Sequence, residues 1–408
     1  METFLARQPI FDRQQQIFAY ELLFRSGMEN FCNHDNLDQA SSKVALDSFF
    51  TLGINTVTGG KKAFLNVTRE VLVKGYLSFL PPQQTVVEIL ETVSPDSEVL
   101  AACRKLKESG YLIALDDFVA DERMQPLIEM ADIIKIDFLA TEKDQQKALA
   151  ERLSKQGIKL LAEKVETPTV FEEAMAMGYD YFQGYFFCKP TILSGKEVPA
   201  FKLNYLRILR EILRPDLDLN KIEEILKTEV SLSYQLLRYI NSAFFGWQVE
   251  IRSIKHAMIM LGENDFKRWS SFIALASMAK DKPNELVFQA ILRGRFLELL
   301  APIARLADRA QDFFLLGTFS LIDAIIDRPL QAVLDDMPIA DDIKAALLGE
   351  KGPLRDFLEL ALAHEEGDWE ALSARTEKLK IEENHLPELY LKSLEWASES
   401  FYQSSSAE

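Results

Sequence analysis

Residues 132–164 read DIIKIDFLATEKDQQKALAERLSKQGIKLLAEK, and the reading of this stretch decides the fold. Residues 132–137 form a short apolar run rich in isoleucine and predict a strand. Residues 142–156 carry apolar side chains at helical spacing, and 158–164 return to a strand. Strand, helix and strand joined this closely imply a parallel pair with a crossover. The pattern extends both ways. Further strands are expected at 16–24, 63–67, 85–89, 111–116 and 181–185, and amphipathic helices at 94–109 and 168–178. So many alternating units favour a closed barrel over an open sheet. The expected class is α/β, a TIM-like (β/α) barrel over 1–198. From about Pro199 the alternation stops. Helical periods at 201–213, 219–227, 232–245 and 254–261, and a series to Tyr402, predict a second, all-helical domain over 199–402.

Composition narrows the function. A chain of 408 residues with a formal net charge of −17 is ill suited to nucleic acid or to anionic lipid, both of which are held through Lys and Arg. Cys32, Cys103 and Cys188 form no CxxC pair, so neither a disulfide framework nor a zinc site is expected, and a reduced, cytoplasmic setting is. The charged start METFLARQPIFDRQQQ is unlike a signal peptide, and no apolar run is long enough to span a membrane.

The expected strands carry polar residues toward their C-terminal ends: Glu21, Asn66, Glu88, the pair Asp116 and Asp117, Lys135, Glu163 and Gln183. In a (β/α) barrel those ends meet in one mouth, where active sites lie. One acidic residue at a strand end is ordinarily a solvated loop residue or a helix cap. Successive strands all bearing one are different, because crowded carboxylates need cations. Oxygen donors without cysteine suit Mg²⁺ or Mn²⁺. Adjacent Asp116 and Asp117 can offer oxygens to two ions, an arrangement suited to phosphodiester hydrolysis.

These residues sit in motifs. YELLFR (20–25) resembles the E-A-L-x-R signature of EAL phosphodiesterases. FLNV (64–67), EILE (88–91), LDDF (115–118), IKID (134–137), AEKVET (162–167) and QGY (183–185) resemble that family's remaining blocks, in order. The resemblance covers roughly residues 1–195. It implies that Glu21, Asn66, Glu88 and Asp116 hold one metal ion, and that Asp116, Asp117 and Glu163 hold a second. It further implies that Lys135 orients or polarises the attacking water, that Arg25 contacts a ligand phosphate, and that Glu166 and Gln183 complete the site. The implied reaction opens cyclic di-GMP to the linear dinucleotide. Three positions and one loop depart from the family. Leu22 and Ser26 replace an alanine and a tryptophan, and Lys164 replaces a glycine. Residues 119–123, Val-Ala-Asp-Glu-Arg, stand where a Gly-Thr-Gly type loop is usual. Lys164, extended beside Glu163, is expected to point away from it into a salt bridge outside the mouth. The altered loop is expected to weaken the second metal and slow hydrolysis. A degenerate barrel acting as a non-catalytic cyclic di-GMP sensor or protein scaffold is the competing expectation.

In the helical half, residues 232–246 resemble the signature of HDOD domains, as do 253–257 and 261–262; the likeness runs from about 199 to 280. HDOD domains resemble HD phosphohydrolases but lack their metal ligands. With only His34, His256, His364 and His385 in the chain, a second metal centre is not expected. His256 is expected in the helix core, and Asn241 and Ser242 are expected to bond backbone. Protein partners are expected through this half, with a homodimer left open.

Overall fold

The structure is a computed structural model that describes residues 3–26, 54–116, 122–188, 199–228, 230–241 and 251–405. Eight strands close into a barrel in chain order: β1 (Thr3–Asp12), β2 (Ile17–Ser26), β3 (Lys62–Val67), β4 (Thr85–Ile89), β5 (Leu112–Leu115), β6 (Ile133–Asp137), β7 (Lys159–Glu163) and β8 (Tyr181–Gln183). Seven of them stand within about two residues of the expected strands. β1 is new and corrects the all-parallel expectation, since it runs antiparallel to both β2 and β8 while β2 to β8 are parallel. Its sequence hides it. Arg7 and Pro9 break the apolar alternation, and Pro9 has no N–H for the ladder. β1 reaches β2 through a turn in which Asp12 Oδ1 accepts from Gln14 N and Gln16 N at 2.9 Å.

The strand period of two builds the interior in layers. Ile10, Ala19, Phe64, Val86, Ala114, Ile133 and Leu161 form one buried apolar cluster, packed against Phe18, Leu112 and Tyr181. Two residues further along each parallel strand the chain turns polar: Glu21, Asn66, Glu88, Asp116, Lys135 and Glu163, with Gln183 two beyond Tyr181. The barrel is therefore plugged by hydrocarbon below a polar mouth. Helices follow the strands where their caps allow. Asp96 caps Ser97–Glu108 by accepting from Glu98 N and Val99 N. Thr167 and Pro168 open Pro168–Met177, and Gly178 closes it at φ 98°.

By contacts the chain divides into two compact units. The first is Met1–Lys189 with Leu362–Ala374 and Glu383–Pro387; the second is Pro190–Ala361, Arg375–Glu382 and Glu388–Glu408. Among the described residues the second unit contains helices and no strand. Its helices Asn284–Ile303 and Ala310–Phe319 cross where Gly294 meets Gly317. A Cβ on Gly317 would fall 2.5 Å from Gly294 N, so only hydrogen fits. Asn241 bonds backbone as expected: its amide donates to Leu237 O and Ile251 O and accepts from Ile251 N, at 2.7–2.8 Å. Ser242 lies outside the described residues. His256 corrects an expectation. It is exposed, one residue short of the buried positions Ala257 and Met258, in a first turn capped by Ser253. The buried histidine is His364, whose imidazole burial holds down to about 3, so it stays neutral. No helix among the described residues is long and apolar enough to cross a membrane.

Candidate active site

At the mouth, Lys135 stands at the centre of the polar layer with its side chain 1 % exposed. Its ammonium lies 2.9 Å from Asp116, 2.7 Å from Glu163 and 3.3 Å from Glu21, and it bonds Glu88 as well. Burial opposes a charge on Lys135, but Glu21, Glu88, Glu163 and Asp116 together hold the ammonium well above the usual lysine range. Glu88 is fully enclosed. Burial, then the charge of Glu21, pushes its carboxyl well above the usual carboxylate range against the pull of Lys135. Burial likewise raises Glu163 to about 7, with Lys135 opposing and Asp116 and Glu21 adding to the rise. Four carboxylates around one ammonium cannot all ionise cheaply, which is why protons are retained.

Hydrogen bonds orient the rim. Asn66 Nδ2 donates to Glu21 Oε1 at 3.0 Å. Gln183 Nε2 donates to Glu21 Oε2 at 2.7 Å and to Gln8 Oε1 at 2.9 Å. Gln8 is the site residue that sequence reading missed. Because β1 runs antiparallel, Gln8 precedes its apolar partner Ile10 instead of following it, and it pairs with Glu21 across the β1–β2 ladder. The missing signal was the direction of one strand.

Gly184 holds Gln183 in place. At φ 141° it presses on the chain at Val165, where a Cβ would sit 2.3 Å from the carbonyl oxygen. Val165 N in turn donates to Gln183 O at 2.9 Å.

Two expected residues, Glu166 and Arg25, stand apart from the Lys135 cluster. Asp117 lies outside the described residues, as do positions 119–121 of the altered loop. Glu166 is exposed and not among the carboxylates paired with Lys135. Arg25 is largely covered, 11 % exposed. It donates to Ser373 Oγ at 3.1 Å and Trp369 O at 3.3 Å, and lies 3.6 Å from Glu383. Phe4 and Trp369 pack edge to face at 5.9 Å beside it. Lys164 forms the expected salt bridge, with Asp137, but on a left-handed residue at φ 54° where an extended one was expected. Burial of Asp137 is outweighed by that bond and by the N–H groups of Ala140 and Leu139, which keep its carboxyl below the usual range.

The donor set suits a hard divalent cation: carboxylates and amide oxygens, no sulfur and no imidazole. Glu88 Oε2 and Gln183 Oε1 are buried without a hydrogen-bond partner among the described residues, each an oxygen suited to a cation. Among those residues no three His, Cys, Asp or Glu side chains are already set out as a metal site; the carboxylates close on Lys135 instead.

Fold and mouth together define an EAL-type barrel linked to a helical region. Residues 34–190 match the EAL domain and residues 198–320 the HDOD domain. The chain is 35% identical over 406 residues to the uncharacterized protein YuxH of Bacillus subtilis (strain 168), covering 97% of this chain and 98% of that one. It is 31% identical over 400 residues to the cyclic di-GMP phosphodiesterase CdgJ of Vibrio cholerae serotype O1, covering 97% and 93%. It belongs to the family of proteins that carry an EAL domain followed by an HDOD domain. Among solved structures, Klebsiella pneumoniae BlrP1 in a calcium and cyclic di-GMP complex is 22% identical, with TM-score 0.39, over 47% of this chain and 56% of that one.

Proposed function

We propose that this chain is a cyclic di-GMP signalling protein whose barrel mouth hydrolyses the dinucleotide to its linear form with Mg²⁺ or Mn²⁺, slowly. The observation that carries the reading is the polar layer itself. Glu21, Asn66, Glu88, Asp116, Lys135, Glu163 and Gln183 meet at one end of the barrel, each from a different strand. Glu21, Asn66, Glu88 and Asp116 would hold a first ion, and Asp116, Asp117 and Glu163 a second; bound ions would supply activation of water and charge neutralisation at the phosphodiester. Lys135, held among the carboxylates, would orient or polarise the attacking water. Gln183 and Asn66 fix the two oxygens of Glu21. The sequence at 119–123, with no glycine, supports a weak second ion and hence slow turnover. Purified protein incubated with cyclic di-GMP and Mn²⁺ or Mg²⁺ should yield linear dinucleotide, and yield none with chelator.

One observation favours a second reading, in which the barrel senses without cutting. Arg25, expected on a ligand phosphate, is engaged by Ser373, Trp369 and Glu383. Binding of the dinucleotide without product would decide for it. For the helical half we propose a protein partner. The exposed apolar side chains Phe201, Leu203, Tyr234, Ile259 and Met260 support this, and pull-down with these residues changed to Ser or Asp tests it.

A further inference from the structure

We infer that the segment Leu362–Ala374 acts as a positioning element for the mouth, setting Glu21 through a relay in which Gln8 is the middle residue. The inference rests on the proposed metal-dependent reading of that mouth. The relay is continuous. Gln8 Nε2 donates to Glu366 O at 2.9 Å, Gln8 Oε1 accepts from Gln183 Nε2 at 2.9 Å, and the same nitrogen donates to Glu21 Oε2 at 2.7 Å. Its direction is forced from the outer end. A backbone carbonyl can only accept, so Gln8 must turn its NH₂ outward and its oxygen inward. Gln183 must then present its NH₂ to Gln8, and with its second hydrogen it meets the Glu21 carboxylate. Without Glu366 O, Gln8 is free to turn its NH₂ inward. Gln183 would then answer with its oxygen, and the donor now holding Glu21 would be lost.

The segment is seated closely enough to impose this. Gly367, at φ 68°, lies so near β2 that a Cβ would fall 2.6 Å from Leu23 Cδ1. Phe4, Trp369 and Arg25 complete the seat. Partners that orient a metal-ligating carboxylate from behind typically change metal affinity ~10-fold or more when removed.

The test uses the full chain and Mn²⁺ alone, by calorimetry, with thermal melts followed in parallel. Gln8→Leu removes the relay. Gly367→Asn pushes the segment off Leu23, and Asn tolerates the left-handed backbone there. Adding Leu23→Ala to Gly367→Asn removes the push. We expect Gln8→Leu and Gly367→Asn each to bind Mn²⁺ roughly 10-fold more weakly, and the double variant to recover most of the loss. Should Gly367→Asn not fold, Gly367→Ala carries the same expectation. Wild-type affinity in all variants overturns the relay. Loss in Gln8→Leu alone overturns the role of the segment. Failure of the wild type to take up Mn²⁺ removes the functional reading beneath, and the relay with it.

Discussion

At the scale of the residue, the mouth is governed by Lys135. Replacing it with alanine leaves four carboxylates facing one another in a buried space. Removing one partner from a buried ionic cluster costs about 3–5 kcal/mol. Lys135→Ala should therefore lower the unfolding free energy measured in urea by that order in chelator, and added Mn²⁺ should restore part of the loss. Glu163 carries a pH signature. Its carboxyl titrates near 7 in the fold against 4.5 as the ordinary value. Between those values the folded chain keeps a proton that the unfolded chain has released. Its contribution to metal-free stability is thus full below about pH 4.5 and is lost as pH rises toward 7. Metal uptake must expel that proton, so Mn²⁺ affinity should climb with pH through about 7, with proton release seen by calorimetry in buffers of differing ionisation heat. Lys164 holds a left-handed backbone at a cost of roughly 1–2 kcal/mol, and its half-exposed ion pair returns under about 1 kcal/mol. Lys164→Gly should raise the melting temperature slightly. The glycine usual at this position was legible in the sequence; the reason for it, a positive φ, was not, because Lys164 was read as a continuing strand.

At the scale of the element, periodicity located seven strands, and the residue types at their ends located the polar layer. What it lacked was β1, whose Arg7 is buried, donating to Val57 O at 2.9 Å with its guanidinium 4.2 Å from the Tyr20 ring. A buried arginine in a strand reads as exposure until its partners are known. The motif QGY was legible as a motif, yet its glycine is explained only by Val165 pressing on it. Gly184→Ala should cost ~2 kcal/mol or more and, by displacing Gln183, weaken Mn²⁺ binding. An unchanged melt would show that β8 yields more easily than its contacts suggest. In the helical unit, the Gly294–Gly317 crossing was invisible to helical period, since glycine scores as neither face.

At the scale of the whole molecule, the sequence placed one boundary near Pro199 and could not see a return. The first unit draws in Leu362–Ala374 and Glu383–Pro387, which helical period reads only as more helix. A fragment ending at 198 should therefore melt well below the full chain and bind a hydrophobic dye such as ANS, because Phe4, Leu23 and Arg25 lose Trp369, Gly367 and Ser373. The same discontinuity orders events during synthesis. The barrel sequence is finished at Lys189, but the last residues of its unit come at Pro387, 387 − 189 = 198 residues later. At about 5–20 residues per second, that is roughly 10–40 s on the ribosome. For that interval the nascent barrel has its strands and lacks its seat, and every message truncated in between releases a product in the same unfinished state.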